Sequence, residues 1–166
     1  MISLNRIDDK LIHGQVATSW IKVCDANRIY VVDDETAHNP FLSKIMVSVA
    51  PGGIKVVVWD LATAIEKMPL VLAHEKIKAF VIAKGPKEFL EMAKAGVNFK
   101  KIIVGNMGSS EGKIQSHPSF LNYTNKEERD MFRELEKMGN RCILQLTPEV
   151  VAIPMLETDG FKKAND

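Results

Sequence analysis

One stretch near the start of the chain concentrates groups able to do chemistry: Arg6-Ile7-Asp8-Asp9-Lys10-Leu11-Ile12-His13-Gly14-Gln15-Val16. Two cations, two carboxylates and an imidazole in one turn suit the handling of a small anion, above all phosphoryl transfer through histidine. An imidazole is a competent nucleophile near neutral pH, a carboxylate on one ring nitrogen decides which nitrogen is free, and cations neutralise charge in transit. Either Asp8 or Asp9 can hold the second ring nitrogen of His13, while Arg6 and Lys10 supply positive charge. If a helix starts near Gly14, the unpaired amides of Gly14 and Gln15 lie beside His13 and favour a dianion there. Gly14 also leaves the approach to the ring uncrowded. The plain alternative is a histidine that merely flanks a helix start, behind an ordinary Asp-Asp turn.

The elements that must position this turn follow from hydrophobic period. Short β-branched runs at Ile2 to Ile7, Arg28 to Val32, Lys55 to Trp59, Lys78 to Ile82, Lys101 to Val104 and Arg141 to Leu146 predict strands. Between them, Gly14 to Val23, Asn39 to Val49, Leu61 to Met68, Pro86 to Ala95 and Asn125 to Met138 have helical spacing. Asn125 serves as a cap, and Gly96 and Gly139 as stops. Strict alternation predicts a doubly wound α/β fold: a mostly parallel sheet with helices on both faces, in a single domain. Ligands of such sheets sit at the carboxyl ends of the strands, where the strand order reverses. The loops there begin at Asp8, Asp33, Asp60, Ala83 and Gly105. Gly105 to Asn125 predicts a long loop with room for one edge strand, and the polar residues after Leu156 predict a frayed tail at 157–166.

Composition narrows the function. Apolar residues make up 46% and charged ones 26%, and 22 basic residues against 21 acidic give a net charge of +1, so no global field holds nucleic acid or an anionic membrane. An anion must be gripped locally. Cys24 and Cys142 stand apart in no metal-ligand spacing, and no signal peptide or long apolar span is present, which predicts a cytoplasmic chain with reduced thiols. His38, His74 and His117 form no ligand pattern either, so neither a metal nor another cofactor is expected.

The run from Arg6 to Val16 resembles the active-site loop of IIB subunits in the mannose/fructose/sorbose family of sugar phosphotransferase systems. Asp33-Asp34, the Asn39-Pro40-Phe41 helix start and Ile102-Ile103-Val104-Gly105-Asn106-Met107 followed by Gly112-Lys113 resemble the same family in the same order, up to about Pro154. The resemblance implies a phosphohistidine relay. A IIA subunit, charged from phosphoenolpyruvate through HPr, donates to His13, which phosphorylates a sugar delivered by membrane IIC and IID subunits. It implies phosphorylation of His13 at Nδ1, Arg6 as a phosphate ligand, Lys10 as a second clamp, and support from Asp8, Asp9, Gly14 and Gln15. Asp33, Asp34, Gly105 and Asn106 are candidates for the rest of the crevice, and a homodimer is compatible with it. Members of the family usually carry arginine where this chain has Lys10, which keeps the charge but loses the bidentate fork. The Gly105-Asn106-Met107 variant resembles N-acetylgalactosamine-type members.

Two other functions compete. Asp33, Asp34 and Asp60 could form a Mg²⁺-binding acidic pocket like that of a receiver domain, or they could simply cap helices. A non-catalytic sensor that binds an anion at the His13 loop would form no covalent adduct. Gly105 to Ser110 could offer amides to a phosphate, but it lacks the lysine and spacing of a nucleotide-binding loop. Trp20 and Met46 have the spacing of core residues.

Overall fold

The computed structural model describes residues 1–166 in full. In chain order the elements are β1 (Ile2–Ile7), α1 (Gly14–Cys24), β2 (Arg28–Val32), α2 (Asp34–Ala37), α3 (Pro40–Val49), β3 (Lys55–Trp59), α4 (Leu61–Ala73) and β4 (Ala79–Ala83). There follow α5 (Pro86–Lys94), β5 (Lys101–Val104), β6 (Ile114–Gln115), β7 (Tyr123–Thr124), α6 (Lys126–Lys137), β8 (Arg141–Leu144), β9 (Ile153–Pro154) and α7 (Asp159–Ala164).

Seven strands form one sheet in the order β3-β2-β4-β1-β5-β8-β9, and every pairing is parallel except that of β9 on β8. Strands β2, β4 and β5 are apolar on both sides because both faces are covered, as parallel sheets require, whereas central β1 also buries Asn5 and Arg6. One face packs Leu4, Ile29, Val31, Phe80 and Ile82 against Ala17 and Trp20 of α1 and Met46 of α3. The other packs Ile7, Tyr30, Val81 and Val104 against α4, α5, α6 and Phe161 of α7. Each fully buried side chain of this kind contributes roughly 1.5–3 kcal/mol. The expected doubly wound architecture is therefore present.

The strand order explains where a site can form. After β1 the chain crosses to the α1 face, whereas after β4 and β5, the two neighbours of β1, it crosses to the opposite face. The loops diverge around the carboxyl end of β1 and leave a crevice there.

Four local expectations change. Helix α4 continues through Pro69 instead of ending at Met68; the proline removes one backbone bond, but Val71 and Leu72 extend the same apolar face onto the core. The strand from Arg141 stops at Leu144. Between Gly105 and Asn125 stands an antiparallel hairpin of β6 and β7, separate from the main sheet, with Met107 bridged to Asn122. The tail does not fray: Met155, Thr158 and Phe161 are buried, the Gly160 amide donates to the Ser116 carbonyl at 3.0 Å, and the Asp166 carboxylate accepts from Arg129 and Arg133. Polar composition concealed this because Phe161 is the only large apolar residue that anchors 157–166.

Candidate active site

Strand β1 ends at Ile7, and its neighbours catch the loop at once. The Asp8 amide donates to the Ala83 carbonyl at the end of β4, and the Asp9 amide donates to Asn106 beyond β5, both at 2.9 Å. The turn is then completed by Leu11, left-handed at φ 57° yet buried among apolar side chains with Ile12. Gly14 also has positive φ, at 41°, where a glycine relieves the strain a side chain would meet. His13 occupies the N-cap position of α1 in extended conformation, without capping the helix through its ring. The first amides of α1 therefore remain open beside it.

Asp8 organises the site. It is fully buried, and its Oδ1 accepts the Lys10 amide at 3.1 Å, while Oδ2 lies 3.0 Å from His13 Nε2 and 3.3 Å from Arg6 Nη2. Because a carboxylate can only accept, this contact assigns the proton to Nε2 and leaves Nδ1 with its lone pair. The choice between Asp8 and Asp9, open in the sequence, falls on Asp8. The His13 side chain keeps 27% exposure, so the ring can be reached from outside.

Arg6 is not where a direct phosphate ligand would stand. It is 1% exposed, with Nη1 donating to the Gln145 carbonyl at 3.1 Å and its guanidinium 5.5 Å from the Trp20 ring centre. Burial pulls its pKa down, and the charge of Asp8 opposes that shift. Arg6 thus holds Asp8. Trp20, besides packing in the core, roofs Arg6 and donates from Nε1 to the Leu146 carbonyl at 2.9 Å. Lys10 is exposed, and its ammonium forms no ion pair. Gln15 is exposed in the first turn of α1.

Gly105 has a different reason from the one its loop suggested. A Cβ there would overlap Arg6 Nη2 and lie 2.8 Å from Arg6 Cζ, and its amide is already donated to the Ile7 carbonyl at 2.7 Å. It makes room for the guanidinium instead of offering an amide to phosphate. Gly105→Ala should therefore lower stability by roughly 1–3 kcal/mol, the usual cost of overpacking. Urea unfolding checks this, and parent stability would mean that Arg6 can move aside. Asn106 contributes its carbonyl to Asp9.

Asp33, Asp34 and Asp60 terminate helices. Asp33 Oδ2 accepts from the Thr36 amide at 3.0 Å and hydroxyl at 2.6 Å, Asp34 Oδ1 from the Leu61 amide at 2.8 Å, and Asp60 Oδ1 from the Thr63 amide at 2.8 Å. Bonds to Thr63 and then to His38 hold the Asp60 pKa at about 2. The geometry favours caps over an acidic pocket. Lys84, unremarked in the sequence, pairs with Asp33 and Glu35; burial works to lower its pKa, but these partners outweigh it and raise it.

Comparison with known proteins agrees with this geometry. Residues 2–165 match the family described as the sorbose subfamily IIB component of the phosphotransferase system. The chain is 33% identical over 156 residues to the N-acetylgalactosamine-specific phosphotransferase enzyme IIB component 2 of Escherichia coli, covering 94% of this chain and 97% of that one. It is 31% identical to the sorbose-specific EIIB component of Lacticaseibacillus casei, over 88% and 87% of the two chains. It is 34% identical to the mannose-specific EIIAB component of Escherichia coli, covering 84% of this chain and 42% of that longer one. The crystal structure of the IIB domain of the sorbose permease from Klebsiella pneumoniae superposes with a TM-score of 0.86 at 29% identity, covering 99% of this chain and 96% of that one. A buried aspartate that presents a histidine at a helix start, on a fold shared along its whole length with these subunits, leads to one assignment: the chain belongs to the sorbose-type IIB family of sugar phosphotransferase systems.

Proposed function

We propose that this protein carries a phosphoryl group on Nδ1 of His13, taken from a IIA subunit and given to a hexose entering through membrane IIC and IID subunits. The observation that carries the reading is the 3.0 Å contact between Asp8 Oδ2 and His13 Nε2, which leaves Nδ1 as the nucleophile. In the first half-reaction Nδ1 bonds to phosphorus as the bond from phosphorus to the donor breaks. The ring then carries positive charge with its proton still on Nε2, and the Asp8 carboxylate compensates that charge. Arg6 balances Asp8 while the ring is neutral. The open amides of α1 and the unpaired Lys10 ammonium face the incoming oxygens, so no metal is required of this subunit. Departure of the group returns a neutral imidazole, a good leaving group.

The fused mannose-specific relative, whose name includes both A and B components, supports IIA as the donor. Its N-acetylgalactosamine and sorbose relatives support a hexose as the acceptor. No helix is long and apolar enough to cross a membrane, and the proposed location is the cytoplasmic side, docked peripherally on the permease.

The test loads IIA with phosphate, strips Mg²⁺ with chelator and then adds this protein with ¹⁵N-labelled histidine. Transfer should survive, giving an acid-labile, alkali-stable adduct whose phosphorus couples to Nδ1. Coupling to Nε2, or an alkali-labile adduct that requires Mg²⁺, refutes the assignment.

A further inference from the structure

The carbonyl of Gly105 stands one residue past the last rung that joins β5 to the chain after β8, where the Gln145 amide donates to the Val104 carbonyl at 3.0 Å. The donor that Gly105 receives comes instead from a side chain, Asn122 Nδ2 at 2.7 Å. We propose that Asn122 is a positioning residue for His13, acting through Gly105 and Arg6 to keep the ring a neutral nucleophile. The inference rests on the phosphohistidine reading above and concerns what prepares the ring for loading.

Asn122 is itself firmly held. It is fully buried, its Oδ1 accepts from Ser116 Oγ at 2.6 Å, and its carbonyl accepts from the Ser116 amide at 2.8 Å. Its two neighbours clamp Met107: the Met107 amide donates to the Leu121 carbonyl at 3.0 Å, and the Tyr123 amide donates to the Met107 carbonyl at 2.9 Å. The tail closes in behind Ser116, since a Cβ at Gly160 would lie 2.8 Å from the Ser116 Cα. A buried amide with fixed partners on both sides is costly to disturb.

Each further link to the ring is a direct contact. Gly105 bears on Arg6, because a Cβ there would overlap Nη2. Arg6 Nη2 reaches Asp8 Oδ2 at 3.3 Å, and the same oxygen meets His13 Nε2 at 3.0 Å. The first of these contacts is already long, so a small retreat of Gly105 gives the guanidinium room to leave the carboxylate. A carboxylate beside an imidazole favours imidazolium, and Arg6 beside Asp8 offsets that pull. With Arg6 withdrawn, Asp8 would hold a second proton on the ring, and the lone pair of Nδ1 would be occupied. Asp8 is the only charged side chain bonded to the ring, while Lys84, at the end of neighbouring β4, is held by Asp33 and Glu35.

The experiment replaces Asn122 by aspartate, which keeps the shape and the bond from Ser116 but cannot donate to Gly105. It is compared with Ser116→Ala, which weakens the hairpin and leaves that donor in place. At about pH 6.5, where an ordinary imidazole is half protonated, loading from phospho-IIA should fall about 10-fold or more in Asn122→Asp, a loss typical of removing the partners that orient a functional histidine. The deficit should shrink as the pH is raised, and the imidazole ¹⁵N signal of Nδ1 should move toward its protonated position. Ser116→Ala should load at the parent rate although it unfolds at lower urea. A parent rate and a parent Nδ1 signal in Asn122→Asp overturn the proposal. So does a deficit that is equal at every pH or shared by Ser116→Ala, since either means a merely structural role. Where Asn122→Asp does not fold, Asn122→Ala is read by the same criteria, and failure of both to fold means that Asn122 serves the fold alone and overturns the proposal as well. A wild-type protein that never forms the His13 adduct sinks both readings, whereas normal wild-type loading with an unchanged Nδ1 signal in Asn122→Asp sinks this one alone.

Discussion

Phosphoryl acceptance should vanish in His13→Ala when the protein is incubated with phosphoenolpyruvate, Enzyme I, HPr and IIA. Loss of a covalent nucleophile costs on the order of 10⁶-fold in comparable enzymes, which puts the residual rate below detection. The substitution is mild for the fold, because the ring is part-exposed and makes a single side-chain hydrogen bond. The remaining histidines lack the same setting. His38 bonds to Asp60, and His74 and His117 accept from backbone amides two residues ahead. None of them has a buried carboxylate behind it. Acid-labile phosphate retained in His13→Ala would move the site elsewhere.

Asp8→Asn should retain the nucleophile and lose most of its use. An asparagine amide can donate to Nε2, which would shift the proton to Nδ1 and occupy the lone pair that attacks phosphorus. The analogous exchange behind a catalytic histidine in serine proteases costs about 10⁴-fold, and a loss of that order is expected here. The variant also leaves Arg6, 1% exposed, without its counter-charge, so a stability loss of about 3–5 kcal/mol accompanies it. Imidazole ¹⁵N shifts separate the two effects by reporting the tautomer directly. A folded Asp8→Asn protein that loads at the parent rate would refute the role of Asp8.

Much of this was legible before any coordinates. The period of the apolar runs defines the parallel strands and their helices, and the density of charge around His13 marks the turn that matters. What could not be read was distance. Gly105 stands 99 positions from Arg6 in the chain, and only the pairing of β5 beside β1 puts its Cα against the guanidinium. The same holds for Gln145, which contributes a carbonyl that any residue could supply and so leaves no trace in side-chain type. Trp20 showed the pattern of a core residue, and it is one, but its ring and indole N–H also hold Arg6 and the segment just after β8 in place. Asn122 was lost in a polar segment that resembled a flexible loop, although its buried hydrogen bonds make that segment a fixed wall. Asp33, Asp34 and Asp60 show the converse. Clustered carboxylates at strand ends suggest a pocket, yet each faces a helix amide.

Leu11 holds a conformation that ordinarily belongs to glycine, at an expense of about 1–2 kcal/mol, and burial of its side chain offsets this by about 1.5–3 kcal/mol. A glycine at that position would relax the backbone and release the anchor together. The His13 turn is therefore a seated plug and not a hinge. In the function proposed above the His13 ring meets two unlike partners in succession, and a preformed turn offers both the same charges at the same spacing. Neither encounter then spends binding energy on reorganising the loop.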